Sequence, residues 1–99
     1  MTNERANHTW EVARKMVEIG KEKNLSKEEQ EDLFVLGINH DIGYQFGNSE
    51  NHNKLGAEFL KENGYKYWKE VYYQGKADSE YNSMYLDILN EAVLKVDGQ

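Results

Sequence analysis

The 99-residue chain contains no cysteine, which excludes a disulfide framework and any thiolate-held metal. A bound metal would have to be held through nitrogen and oxygen, and the lack of cysteine fits a reducing compartment, so a cytoplasmic location is expected. Proline is absent as well, which removes the strongest helix breaker. Apolar runs are short. The stretch around Phe34-Val35-Leu36 is far below membrane-spanning length, and no basic stretch followed by an apolar region opens the chain, so neither a membrane span nor a secretion signal is expected. Positive charge is in deficit: 12 Lys and Arg stand against 18 Asp and Glu, a net charge of −6, with the two signs interspersed. Binding to a phosphate backbone needs a concentrated basic face, so duplex nucleic acid is not an expected partner.

A composition of 30% charged and 38% apolar residues borders on that of disordered chains, but 12% aromatic content argues for a folded core. At this length the expectation is one domain covering residues 1–99. Apolar residues recur at helical rather than alternating spacing, so the predicted class is all-α, with about five helices. The first helix is predicted over 3–19, with Trp10, Ala13, Met16 and Val17 along its inner stripe and Gly20 near its end. Ser26-Lys27-Glu28-Glu29 reads as a capping box opening a second helix over 27–41, whose inner face is Leu33, Leu36, Gly37 and His40. A loop is predicted over 42–53. A third helix over 54–63 should bury Leu55, Phe59 and Leu60, with Gly64 in a left-handed cap, and a short aromatic helix should follow over 65–74. After a polar turn, the last helix is predicted over 80–96, turning Met84, Tyr85, Ile88, Leu89, Ala92, Val93 and Val96 inward.

His40 continues a buried stripe, and that placement needs a reason. The chain has three histidines: His8 in the first helix, His40 beside Asp41 at the end of the second, and His52 beyond the following loop. Neighbouring residues at a helix end project about 100° apart, so imidazoles and a carboxylate from different helices can converge on one divalent ion. Such a nitrogen and oxygen site suits Mn, Fe, Co, Ni or Mg better than a structural zinc.

The surrounding residues carry a resemblance. Leu36-Gly37-Ile38-Asn39-His40-Asp41-Ile42-Gly43-Tyr44, together with His8-Thr9-Trp10-Glu11-Val12-Ala13 and His52-Asn53-Lys54-Leu55-Gly56-Ala57-Glu58-Phe59-Leu60, resembles the HD-domain superfamily of metal-dependent phosphohydrolases in three segments and in the expected order. The resemblance implies a helical bundle in which His8, His40 and Asp41 hold a divalent metal, Asp41 can bridge to a second ion, and His52 joins the second-metal side. Asp41 and His52 are then the expected catalytic residues, and Arg5 and Lys54 are expected to contact phosphate on a small phosphorylated substrate.

The family pattern also places an aspartate in the last helix, where this chain has Val93; Asp97 lies four residues later, about 6 Å along the axis of a helix. Asp97 is expected to supply that last metal ligand if the helix shifts or its final turn unwinds. Where two-metal members carry a histidine, this chain has Gln74-Gly75. Most relatives continue through further helices, whose absence would leave Trp68, Tyr72, Tyr73 and Tyr81 as candidates for uncovered surface and a homodimer as the expected assembly. Two functions compete on these grounds. One is a phosphohydrolase acting on a nucleotide or other small phosphate ester; the other is a catalytically degenerate HD domain serving as a ligand-binding or interaction module.

Overall fold

A computed structural model describes residues 3–48, 50–76 and 80–97, the side chains of Asn3 and Arg5 excepted. Five helices follow in order: α1 (Asn3–Glu22), α2 (Lys27–Asn39), α3 (His52–Glu62), α4 (Trp68–Tyr73) and α5 (Met84–Asp97). No strand occurs among the described residues. The long α1 packs on α2 and α5, while α3 packs on α4 and on the turn that follows α2.

The start of α2 is set by its capping box. Glu29 N–H donates to Ser26 Oγ at 3.1 Å, and Ser26 N–H donates to Glu29 Oε1 at 2.9 Å, which satisfies two amides that a helix start leaves without partners. The inner face of α2 is Leu33, Leu36 and Gly37, and His40, capping its C-terminus, is 1% exposed. On α1 the buried stripe is Val12, Ala13, Met16 and Ile19. The predicted stripe was turned too far toward Trp10, which is 49% exposed and meets Phe34 edge-on. Because α1 covers two helices at once, its buried arc is centred between them rather than on the bulkiest aromatic.

Beyond His40 the chain forms a 3-10 turn, Ile42–Gln45, instead of an open loop, and α3 begins at His52, two residues earlier than predicted. Two close approaches define this region. A Cβ on Gly37 would overlap the backbone of Ala13 in α1, and one on Gly43 would overlap the backbone carbonyl of His52. Only glycine allows contacts of this kind, so α1 sits directly against the end of α2, and the first turn of α3 sits directly against the 3-10 turn.

The remaining joints are polar. Glu70, buried on α4, accepts from Tyr81 Oη and Ser83 Oγ, both at 2.7 Å, and Asp32 accepts from Tyr67 Oη at 3.2 Å and Tyr85 Oη at 3.1 Å. Trp68 and Tyr72 are half-buried and pack against the core. The large apolar residues left exposed are Trp10, Val35, Phe46, Phe59, Met84 and Leu94. Phe59 and Met84 were expected inside. Phe59 instead lies against Phe46, with ring centres 5.0 Å apart. No described helix is long and apolar enough to cross a membrane.

Candidate metal centre

Asp41 stands at the junction of three elements and is buried. Its Oδ2 lies 3.3 Å from His40 Nε2 and 3.6 Å from His8 Nε2, and its Oδ1 lies 3.5 Å from His52 Nε2. The carboxylate therefore presents one oxygen to the α1 and α2 histidines and the other to the α3 histidine. Burial by itself would raise the Asp41 carboxyl, but His40, His52 and His8 around it outweigh that and hold it below the ordinary carboxylate range.

The state of His40 follows from its partners. Its Nδ1 lies 2.6 Å from the carbonyl of Gly37. A carbonyl only accepts, so Nδ1 carries the proton, and in the neutral ring Nε2 is the nitrogen left with a lone pair. That Nε2 atom is buried without a hydrogen-bond partner. An orphaned buried acceptor is costly, and an ion at this point would satisfy it.

One ligand atom each from His8, His40 and Asp41 lies within 4.8 Å of the others. With bonds of about 2.0–2.2 Å, two ligands on one ion stand about 3–4.3 Å apart, and the 3.3 and 3.6 Å separations at Asp41 Oδ2 match that spacing. The residues present fit a divalent metal. The remaining sequence candidates are placed differently. His52 faces the second oxygen of Asp41 and stacks under Tyr44, with ring centres 4.1 Å apart. Asp97 remains helical and reaches His8, but its Oδ1 lies 3.2 Å from Nδ1, the ring nitrogen turned away from Asp41.

A cavity of about 710 Å³ opens onto this group, and Val93 and Leu94 of α5 and Lys76 are among the residues that line it. Lys54 is exposed and does not line the cavity, and the side chain of Arg5 lies outside the described residues. Lys76 went unnoticed in the sequence because its position depends on how the segment after α4 folds back over α3 and α5, and no local pattern marks that.

Gln74 has a structural task. Its side-chain amide donates to the backbone carbonyls of His40 and Val71, its backbone carbonyl accepts from Asn53 Nδ2 at 3.0 Å, and next to it Gly75 N–H donates to Asn90 Oδ1 at 2.9 Å. These amides tie α3, the end of α4 and α5 to the backbone beneath His40. Asn53, expected at the end of a loop, and Asn90, expected within the last helix, carry no signal in the sequence beyond being polar.

The HD-domain family model matches residues 5–94. No curated protein and no solved structure gives a significant match. The family match spans His8, His40, Asp41 and His52 in one stretch and covers most of the sequence, so the chain belongs to the HD-domain family.

Proposed function

We propose that this HD domain is a metal-dependent phosphohydrolase acting on a nucleotide or other small phosphate ester. The observation that carries the proposal is the convergence of His8, His40 and Asp41 on one point, with His40 Nε2 buried and lacking a hydrogen-bond partner. His8 and His40 would hold a divalent ion (Mn, Fe, Ni, Co or Mg) through Nε2, with Asp41 Oδ2 as the third ligand. The ion supplies Lewis acidity, which makes water a competent nucleophile near neutral pH and offsets charge on phosphoryl oxygens.

The protein contributes position and charge. The surrounding histidines hold the Asp41 carboxyl below its ordinary range, which favours the ionised form, and its Oδ1 is turned toward His52. His52, clamped beneath Tyr44, faces the cavity as the group that takes up or returns a proton next to the reacting phosphate. Lys76 offers a cation to phosphate oxygens, in the part expected of Arg5 and Lys54. Val93 and Leu94 give the organic part of the ester an apolar wall.

The test is turnover of a panel of p-nitrophenyl phosphate, its diester and the common mononucleotides by the Mn-loaded protein, with Asp41→Ala as the control. Metal-dependent release of phosphate by the natural chain but not by the variant supports the proposal. A second reading, a domain that binds metal without catalysis, is favoured by Val93, an apolar side chain on the cavity wall where the family pattern has an acidic ligand. Metal binding with no turnover across the panel would favour that reading.

A further inference from the structure

We infer that Asn90 is a ligand-contact residue which, beside Lys76, clamps a phosphoryl group in the cavity; the inference rests on the phosphohydrolase reading above and deepens it. Three carboxamide side chains meet at the Gln74-Gly75 backbone, and all three residues line the cavity. Two of them spend their amino groups on the fold. Gln74 Nε2 donates to the carbonyls of His40 and Val71, and Asn53 Nδ2 donates to the carbonyl of Gln74 at 3.0 Å. Asn90 is engaged the other way round. Its Oδ1 accepts from Gly75 N–H at 2.9 Å, and because a backbone N–H only donates, this partner fixes the oxygen on that edge and the amino group on the other.

The Asn90 amino group makes no hydrogen bond among the described residues, and it is not one of the buried polar atoms left without a partner. It is therefore accessible, on a residue that lines the cavity. Lys76 directly follows Gly75, and its ammonium lies 4.2 Å from the centre of the Tyr72 ring, a contact that holds a cation without neutralising it. No carboxylate pairs with Lys76 among the described residues. Asn90 and Lys76 thus offer only donors. The α5 residues one turn further on, Val93 and Leu94, are apolar. Asp97, the carboxylate of the same helix face, stands about 10 Å from Asn90 along the axis and lies against His8 Nδ1 at 3.2 Å. A cationic or purely donating ligand group finds no acceptor at this pair. A phosphoryl group, anionic and carrying several acceptor oxygens, meets the ammonium and the amino group together.

The experiment titrates the isotope-labelled natural chain with adenosine monophosphate, in EDTA and in Mg, with adenosine as the uncharged control, and follows the Asn90 side-chain amino signals by NMR. Calorimetry then measures the same ligand against Asn90→Ala and against Asn90→Asp, which keeps an oxygen for Gly75 N–H and loses the donors. The clamp predicts that the Asn90 signals move with the monophosphate and not with adenosine. Both variants should bind the monophosphate about tenfold or more weakly, and Asn90→Asp should melt with the natural chain, which separates a lost contact from a lost fold. The inference is overturned if the Asn90 signals stay still in both conditions, if adenosine moves them as far as the monophosphate does, or if Asn90→Asp keeps the natural affinity. Signals that respond as expected in a protein that releases phosphate from no ester with any metal would defeat the phosphohydrolase reading alone, because the clamp is read by binding and not by turnover.

Discussion

Ala13 on α1 and Gly37 on α2 meet backbone to backbone, with no room between them for a Cβ on Gly37. This contact sets how closely the two helices approach, and through it the distance between His8, five residues before Ala13, and His40, three residues after Gly37. Gly37→Ala is therefore expected to cost about 1–3 kcal/mol by overpacking and to weaken metal binding as His8 and His40 are forced apart. Gly64→Ala provides a control. Its φ of +76° makes alanine strained, but open space surrounds it, so it should cost about 1 kcal/mol and leave metal affinity unchanged. Thermal melts and calorimetry of the two variants check both statements.

Val93 lines the cavity one helical turn before Asp97. Asp97 lies against the Nδ1 edge of His8, while Nε2 is the nitrogen nearest Asp41, so Val93→Asp should add an α5 carboxylate to the centre. The expected outcome is tighter Mn binding and, under the phosphohydrolase proposal, faster turnover. An unchanged affinity would mean that α5 already supplies a ligand.

Asp32 accepts from two tyrosines, Tyr67 and Tyr85. Burial, followed by the hydrogen bond to Asp32, pushes the Tyr85 phenol above its ordinary value of 10. A folded-state value above the unfolded one means that the protonated phenol's contribution is complete below about pH 10 and is lost as pH rises through the folded value. Stability should fall on the alkaline side, and Tyr85→Phe should flatten that limb at a cost of about 1–2 kcal/mol at neutral pH. Denaturant melts between neutral and strongly alkaline pH measure the difference.

Much of this arrangement could be read from local pattern. The capping box located the start of α2, and the spacing of Leu33, Leu36, Gly37 and His40 placed an imidazole on a buried face, because both signals arise within a few residues of the chain. The misses have a common cause. Trp10 and Phe59 were expected inside, yet their burial depends on which neighbours cover the helix. Lys76 and Gln74 take their roles from the fold-back of the segment after α4. Which nitrogen of His8 faces Asp97 is decided by the packing of α5 on α1, and spacing along one helix carries no information about a ring's two edges.

The central claim is that His8, His40 and Asp41 hold a divalent ion, and it is tested most directly by elemental analysis of the purified protein together with thermal melts in EDTA and after addition of Mn, Ni or Mg. Metal at 100 times its dissociation constant should add about 2.7 kcal/mol, which moves the midpoint of a domain this size by about ten degrees or more. The account predicts near-stoichiometric metal, a shift of that size, and loss of both in Asp41→Ala. A chain that carries no metal and melts at the same temperature in EDTA and in each metal would contradict it.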